Sequence, residues 1–208
     1  MNPHKLRGLY AITDERLMSE TNFLAKAEYA LLGGARLIQY RDKSSDTEKR
    51  LTQASALKKL CEQNNSILII NDDIELAYTI QADGVHLGKD DTSISLARQR
   101  LGENSIIGIS CYDQLDIAIE AEKASASYVA FGAFFPSLTK PQARTASLEL
   151  LKTAKQKLHI PVCGIGGITA DNANTLVEQG ADMTAIITDL FASDDIQKTA
   201  SQIAHLFS

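Results

Sequence analysis

The sharpest change of residue type along the chain is the step from four apolar residues, at 67–70, to Asn71, Asp72 and Asp73. One polar residue of this kind is enough to cap a following helix, but this chain has three in a row. Carboxylate and amide oxygens suit Mg²⁺, which usually binds one or two carboxylates together with substrate phosphates. A further acidic residue, Asp91, follows the next apolar segment. If the two segments are neighbouring strands, roughly 5 Å apart, Asp72 and Asp91 could bind one Mg²⁺ together.

A second polar motif, Gln39-Tyr40-Arg41-Asp42-Lys43, follows an earlier apolar segment. Alternation along a strand places Gln39, Arg41 and Lys43 on one side. Two cations and an amide on one face suit an anionic, oxygen-rich ligand. A solvated charged loop is the simpler interpretation of this motif taken alone.

Three residues with reactive side chains stand near other strand ends. Ser110 could donate a hydrogen bond to a phosphate. Cys111 beside it has no histidine close in sequence, which disfavours a nucleophilic role. His86 stands alone in its segment, and a lone inward histidine is more often a hydrogen-bonded core residue than a ligand. We therefore expect His86 to be structural or to support the site residues.

The segment 131–140 combines aromatic and small residues with two hydroxyl groups and ends in Lys140. Such a loop could place an apolar wall beside a flat ring and a cation beside an anion. The alternative is a well-packed loop with an exposed Lys140.

These motifs follow short β-rich segments that alternate with longer amphipathic ones. Eight strands are predicted, at 8–13, 36–40, 67–70, 84–87, 106–110, 128–131, 161–164 and 182–187. Helices are predicted at 20–32, 46–61, 73–80, 93–101, 114–124, 147–158, 170–179 and 195–207. Eight strand–helix units favour an α/β fold of the closed (β/α)₈ TIM-barrel type. An open doubly wound sheet usually has fewer units and a glycine-rich turn after its first strand, which is missing here.

In a TIM barrel the loops after the carboxyl ends of the strands carry the chemistry, so the motifs above would meet at one end. Glycines at 164, 166 and 167 precede a predicted helix and would let backbone N–H groups approach a phosphate. Their spacing differs from GxGxxG, which disfavours a dinucleotide site. The last strand ends in Ile186-Ile187-Thr188, and the loops after the seventh and eighth strands are a frequent phosphate site.

The composition is that of an ordinary globular protein, since 44% hydrophobic residues are enough for a sizeable core. The 21 basic and 26 acidic residues give a formal charge of -5 without any run of Lys or Arg, which argues against a nucleic-acid partner. Three cysteines fit no CxxC motif, and neither a signal peptide nor a transmembrane segment is predicted. We therefore expect a cytoplasmic protein with reduced thiols, no membrane partner and one domain over residues 1–208.

The motifs, in this order, resemble those of the thiamine-phosphate synthase family. The resemblance extends from Leu9 to Thr188, and its most specific parts are the motif at 39–43, Asn71-Asp72, His86-Leu87-Gly88 with Asp91, Thr139-Lys140 and the segment 164–168. It implies that two small molecules, hydroxymethylpyrimidine diphosphate and hydroxyethylthiazole phosphate, are joined with release of diphosphate. It also implies one Mg²⁺ per active site, and it leaves homo-oligomer formation open.

The resemblance also assigns roles by position. The pyrimidine diphosphate would be held by Gln39, Tyr40, Arg41, Asp42, Lys43, Asn71, Ser110 and Lys140. Mg²⁺ would be bound by Asp72 and Asp91. The thiazole phosphate would be held by Ser137, Leu138, Thr139, Gly167, Ile187 and Thr188. The catalytic groups would be Arg41, Lys43, Lys140 and Ser110, which stabilise the departing diphosphate while a pyrimidine carbocation forms.

Five residues depart from the family's usual pattern. Asp73 stands for a common arginine, Lys89 for a glutamine and Tyr112 for a histidine, whereas Ser137 and Thr188 only exchange one hydroxyl type for another. We expect the Asp73 charge to oppose a diphosphate. The nearest alternative function is that of a thiazole tautomerase, an isomerase on the same barrel that needs no diphosphate metal site. A pentose-phosphate epimerase and a non-catalytic phosphate-binding regulator are further alternatives, which the absence of paired histidines and the double anion site disfavour.

Overall fold

The computed structural model describes residues 6–88, 93–136 and 145–208. Eight parallel strands follow each other in chain order and close into a barrel, with the last strand hydrogen-bonded to the first. The predicted (β/α)₈ TIM barrel is thereby confirmed. The strands are β1 (Gly8–Ile12), β2 (Leu37–Tyr40), β3 (Ile67–Asn71), β4 (Gly84–Leu87), β5 (Ile106–Tyr112), β6 (Tyr128–Phe131), β7 (Val162–Ile165) and β8 (Met183–Ile186).

The helices that surround the barrel agree with the predicted ones to within about three residues at each end. Those in the described ranges are α1 (Phe23–Leu32), α2 (Thr47–Gln63), α3 (Ile74–Thr79), α4 (Ile94–Leu101), α5 (Leu115–Lys123), α6 (Leu148–Lys157), α7 (Ala173–Glu178), α8 (Thr188–Phe191) and α9 (Ile196–Ala204). The short helix α8 was not predicted, because four residues are too few to show a helical period. Across the described ranges, each helix is too short or too polar to span a bilayer.

Alternation along each strand divides the core into two parts. In β2, Leu37 points into the barrel whereas Ile38 packs against the surrounding helices, and both are fully buried. Burying one such side chain contributes about 1.5–3 kcal/mol to folding. Because both faces of every strand are covered, the strands consist of almost unbroken apolar runs, and the polar residues that remain mark the strand ends.

Two similar aspartate–lysine ion pairs connect strands and helices at the amino ends of the strands, opposite the predicted site. The Asp83 carboxylate accepts from the Leu68 N–H at 2.9 Å and from Lys58 of α2 at 3.2 Å. The Asp182 carboxylate accepts from the Val162 N–H at 2.7 Å and pairs with Lys155 of α6 at 2.5 Å. Each aspartate thus joins two strands and a helix, which fits a stabilising role for this end of the barrel.

Candidate active site

The loop after β1 holds the backbone of the basic motif that follows β2. The Thr13 hydroxyl accepts a hydrogen bond from the Arg41 N–H at 2.8 Å. The Glu15 carboxylate accepts from the Lys43 N–H at 2.8 Å. Gln39, the last inward residue of β2, is only 2% exposed, so its side chain lies inside the barrel. The motif therefore extends from the barrel interior to its rim.

The structure brings the basic motif and the Asn-Asp motif together. The Lys43 ammonium lies 3.0 Å from Asp72 Oδ2, and the Asn71 amide donates to the same oxygen at 2.6 Å. Asp72 has a φ of 62°, a left-handed conformation that aspartate tolerates better than most residues. Its N–H donates to the His86 carbonyl at 2.9 Å, so the conformation is fixed by the neighbouring strand β4.

Arg41 contributes a second cation to this rim. Its guanidinium group makes no ion pair or hydrogen bond with any residue in the described ranges, and the side chain is partly exposed. Other arginines are paired with carboxylates, such as Arg16 with Asp14 at 2.6 Å and Arg100 with Glu75 at 2.7 Å. As far as the described residues show, the Arg41 charge is available to a ligand.

The Asp73 carboxylate, which we expected to oppose a diphosphate, has two partners within the protein. Its Oδ2 lies 2.6 Å from the Arg50 guanidinium of α2. Its Oδ1 accepts from the Leu76 N–H at 2.9 Å and caps helix α3. A cation and a helix N-terminus thus compensate this charge within the protein, and its effect on a diphosphate stays a prediction.

The side chains of Tyr40 and Asp42 point away from the rim. The Tyr40 ring packs edge-on against Phe23, and its hydroxyl donates to the Gln53 side chain at 3.1 Å. Asp42 forms an ion pair with Lys49 at 2.8 Å. Although burial alone would raise the pKa of Asp42, the nearby Lys49 ammonium holds it below its usual value. Both side chains fasten the loop to α2, so ligand contacts of these two residues would come from the backbone.

Five polar residues form a continuous chain of hydrogen bonds inside the barrel, here called the interior chain. The Gln39 amide nitrogen lies 2.7 Å from the Tyr10 hydroxyl, which lies 2.9 Å from the Tyr128 hydroxyl. His86 Nδ1 lies 2.9 Å from the Tyr128 hydroxyl, and its Nε2 lies 2.8 Å from Ser110 Oγ. The supporting role predicted for His86 agrees with these contacts, whereas sequence reasoning missed Tyr10 and Tyr128.

A glycine in β5 makes room for the interior chain. Gly108 is in register with His86 on one side and with Tyr128 on the other. A Cβ atom on Gly108 would lie 2.0 Å from the Tyr128 ring. The ring crosses this gap and stacks on the imidazole of His86, with 5.6 Å between centroids. A glycine within a strand is the sequence signal that could have indicated such a close approach.

Cys111, which adjoins Ser110, is fully buried on the opposite face of β5. Burial raises the pKa of its thiol to about 12, so the thiolate is not formed near neutral pH. The prediction that Cys111 is not a nucleophile agrees with this environment.

Backbone hydrogen bonds join the loops after β6 and β7. The Phe134 N–H donates to the Ile165 carbonyl at 3.1 Å, and the Phe135 N–H donates to Gly166 at 3.0 Å. Gly167 has a φ of 64°, and a Cβ atom there would lie 2.4 Å from the Pro136 carbonyl. Only glycine fits this position without displacing the backbone.

The end of β7 presents backbone donors beside the end of β8. The N–H groups of Gly167 and Ile168 donate to no residue in the described ranges. Helix α8 begins at Thr188 without a side-chain cap, so the N–H groups of its first turn lack intrahelical partners. The Asp189 carboxylate accepts from the Ala170 N–H at 2.8 Å and joins the two segments. Gly167, Ile187 and Thr188 thus lie at neighbouring strand ends.

Several predicted site residues lie outside the described ranges: Asp91, Ser137, Leu138, Thr139 and Lys140. The described residues contain no group of three or more His, Cys, Asp or Glu side chains that could hold a metal ion by themselves. Asp72 is therefore the one member of the predicted metal pair whose surroundings are known.

Comparison with known proteins identifies relatives over almost the whole chain. Residues 9–190 match the protein family described as thiamine monophosphate synthase. The thiamine-phosphate synthase of Thioalkalivibrio sulfidiphilus is 48% identical over 203 residues, which cover 98% of this chain and 96% of that protein. The enzyme of the same name from Nitrosococcus oceani is 51% identical over 196 residues, covering 94% and 90% of the two chains.

Solved structures agree with the sequence matches. The thiamine phosphate pyrophosphorylase of Pyrococcus furiosus superposes with a TM-score of 0.90 at 34% identity, covering 99% of this chain and 98% of that one. A 3-hexulose-6-phosphate synthase superposes with a TM-score of 0.74 at 18% identity over 97% and 100% of the chains, which shows a shared fold alone. The family match and the high identity of full-length relatives together show that the chain is a transferase that belongs to the thiamine monophosphate synthase family.

Proposed function

We propose that the protein makes thiamine phosphate from 4-amino-2-methyl-5-hydroxymethylpyrimidine diphosphate and hydroxyethylthiazole phosphate, with release of diphosphate. The observation that carries the proposal is the contact of Lys43 and Asn71 with Asp72 at the ends of β2 and β3, with Arg41 following the same end of β2. Two cations beside an amide and a carboxylate suit a diphosphate bound with a metal ion. Relatives that are half identical to this chain carry the name of this activity.

The leaving diphosphate is stabilised by charge at the rim. Arg41, Lys43 and Lys140 supply cations to its oxygens, and Ser110 donates a hydrogen bond. The carbon–oxygen bond of the pyrimidine methyl group breaks, and its electron pair leaves with the diphosphate. The thiazole nitrogen then attacks the resulting carbocation with its lone pair and forms the carbon–nitrogen bond. This reaction needs no enzyme nucleophile, in keeping with the burial of Cys111.

One Mg²⁺ per active site is the cofactor that the donor set fits. The Asp72 carboxylate is 33% exposed, and its donors from Lys43 and Asn71 both reach Oδ2. Within the described residues, Oδ1 accepts no hydrogen bond, which leaves an oxygen suited to a hard cation. We assign the Mg²⁺ ligands to Asp72 and Asp91. When bound, the cation supplies positive charge to the departing diphosphate.

The second substrate is held at the ends of β7 and β8. The backbone donors at Gly167 and Ile168 and the uncapped N-terminus of α8 at Thr188 suit the monophosphate of the thiazole. We assign Ile187 to the same substrate, together with Ser137, Leu138 and Thr139, which lie outside the described ranges. The two anion sites hold the two rings in line for the attack, and this orientation is a large part of the catalysis.

A thiazole tautomerase on the same barrel is the alternative, and it would need a proton-transferring residue rather than a diphosphate site. The contact of Lys43 and Asn71 with Asp72, and the nearby Arg41, favour the synthase. We also place the activity in the cytoplasm, where the three unpaired, buried cysteines stay reduced.

The test is to mix the purified protein with both substrates, with and without Mg²⁺, and to measure thiamine phosphate. We expect product only when Mg²⁺ is present. No product under either condition would exclude the synthase reaction. Isomerisation of the thiazole precursor by the same preparation would support the tautomerase instead.

A further inference from the structure

We propose that the interior chain runs in one direction, from Gln39 through Tyr10, Tyr128 and His86 to Ser110, and so presents the Ser110 proton to the diphosphate. The proposal rests on the proposed function, since it assigns the orientation of a group in that same site. Tyr10, Tyr128 and His86 are positioning residues, because they act on the substrate through Ser110.

Gln39 sets the donor-to-acceptor direction of the hydrogen bonds in the interior chain. Its amide nitrogen faces the Tyr10 hydroxyl at 2.7 Å, and an amide nitrogen can only donate. Tyr10 accepts this bond and has one proton of its own, which is directed at the Tyr128 oxygen 2.9 Å away. Tyr128 in turn has one proton left for its other neighbour. Because a buried hydroxyl proton needs an acceptor and Gln39 already donates to Tyr10, the orientation of the first bond fixes that of the next.

The tautomer of His86 determines which atom donates in the last hydrogen bond of the interior chain. The Tyr128 hydroxyl, 2.9 Å from Nδ1, donates to that nitrogen, which must then be unprotonated. A neutral imidazole with a bare Nδ1 carries its proton on Nε2. Nε2 therefore donates to Ser110 Oγ at 2.8 Å. Ser110 accepts within the chain, and its own proton remains for a ligand at the partly exposed end of β5.

The opposite direction would have the opposite effect on an anion. If the Gln39 carbonyl oxygen faced Tyr10, every bond would reverse, and Ser110 would donate its proton to His86 Nε2. Only oxygen lone pairs would then face the diphosphate, and they would repel it. The direction of the hydrogen bonds in the interior chain therefore decides whether Ser110 stabilises or destabilises the leaving group.

Burial keeps the interior chain in place before the substrate binds. Tyr10 and Tyr128 are at most 1% exposed, and burial raises the pKa of both phenols, so they stay protonated. Stacking of His86 on Tyr128 fixes the imidazole plane. A donor that is oriented in advance needs no reorganisation during the reaction, which is the condition for effective charge stabilisation.

The first test reads the tautomer directly and needs no substrate. The protein has four histidines, and replacing His4, His159 and His205 by Gln leaves His86 as the one imidazole. Long-range proton–nitrogen correlation spectra of the histidine-labelled protein then report which ring nitrogen carries the proton. We expect the proton on Nε2 in this protein and a shift toward Nδ1 protonation after Tyr128→Phe. A proton on Nδ1 before that substitution would overturn the proposal.

The second test asks whether Tyr128 acts through Ser110. Ser110→Ala should lower kcat about 10- to 100-fold, as loss of a hydrogen bond to a charged group does. Tyr128→Phe should lower it about 3- to 10-fold. In the double variant we expect the kcat of Ser110→Ala alone, because Tyr128 has nothing left to orient. Effects that multiply would show that Tyr128 acts independently of Ser110 and would overturn the proposal.

Thr184→Val is the matched control. Thr184 is fully buried in β8, and its hydroxyl has no hydrogen-bond partner among the described residues. Its replacement removes a buried hydroxyl from the same barrel without touching the interior chain, so the His86 tautomer and kcat should be unchanged. A change in either would mean that the readouts report general disturbance of the barrel. Absence of thiamine phosphate from the unaltered protein would count against the proposed function, whereas the spectra would still decide the direction of the chain.

Discussion

The Lys43 ammonium lies 3.0 Å from the Asp72 carboxylate, although 29 residues separate the two in sequence. Lys43 is 54% exposed and Asp72 33%, and an ion pair at this level of exposure contributes at most about 1 kcal/mol to folding. Its main consequence is local, because it places one cation and one anion at adjoining strand ends. A diphosphate bound with Mg²⁺ has both signs of charge, so its oxygens can bind Lys43 while the cation binds Asp72.

Asp72→Ala should therefore reduce turnover by at least about 100-fold, since it removes a proposed Mg²⁺ ligand while leaving the cations in place. Cys111→Ala is the control two strands away, and it should retain most of the turnover because Cys111 is buried on the outer face of β5. The measurement is the initial rate of thiamine phosphate formation at several Mg²⁺ concentrations. Similar rates for the two variants would remove the support for a metal at Asp72.

Arg41→Gln tests whether this guanidinium, which pairs with no residue in the described ranges, binds the diphosphate. Loss of a charge-assisted hydrogen bond should lower kcat/KM for the pyrimidine diphosphate about 10- to 100-fold. The control is Arg100→Gln, because Arg100 is paired with the exposed Glu75 on the outside of the barrel. Its kcat/KM should be unchanged. A loss for Arg100→Gln as large as that for Arg41→Gln would indicate a general effect of removing positive charge.

The sequence predicted the barrel because eight short β-rich segments alternate with amphipathic ones. It also predicted that Gln39, Arg41 and Lys43 share one side, since strand alternation needs no knowledge of partners. The interior chain was not predictable in this way. Tyr10 and Tyr128 stand in apolar runs that are typical of a core, and their contact across 118 residues depends on barrel closure.

Asp73 shows a related limit of sequence reasoning. Its effect on the site depends on Arg50, which is 23 residues earlier and on a different element. The type of residue at 73 predicts a charge, but the sign of the local potential depends on what helix α2 places beside it. The roles assigned to the rim residues stay predictions.

Asp73→Asn separates the two contacts of that carboxylate. Asparagine caps a helix about as well as aspartate, so this variant removes the ion pair with Arg50 and keeps the cap of α3. We expect a loss of less than about 1 kcal/mol in the free energy of unfolding, measured in urea. Asp73→Ala should cost about 1 kcal/mol more, because it also removes the cap.

The same asparagine variant tests whether the Asp73 charge is felt by the diphosphate. Because Arg50 compensates that charge, the KM for the pyrimidine diphosphate should change less than about twofold, a free-energy difference of about 0.4 kcal/mol. A KM that falls tenfold or more would mean that the carboxylate repels the substrate despite its partners.

Gly167→Ala should damage both the fold and the thiazole phosphate site. Gly167 has a φ of 64°, and a Cβ atom there would lie 2.4 Å from the Pro136 carbonyl oxygen and 2.5 Å from that of Phe135. The loops after β6 and β7 must separate to accept it, which moves the backbone donors at the end of β7. We expect the free energy of unfolding to fall by about 2 kcal/mol or more and the KM for the thiazole phosphate to rise.

Gly102→Ala provides the control that separates backbone strain from collision. Gly102 has a φ of 93°, but a Cβ atom there would meet no atom within 4 Å, and the residue lies at the end of α4, away from the site. This variant should lose about 1–3 kcal/mol of stability from the positive-φ conformation alone and keep an unchanged KM. If the two variants raised the KM equally, the effect at Gly167 would be one of global stability. A rise confined to Gly167→Ala would instead assign the thiazole phosphate to the ends of β7 and β8, because only there does the added methyl group displace the donors.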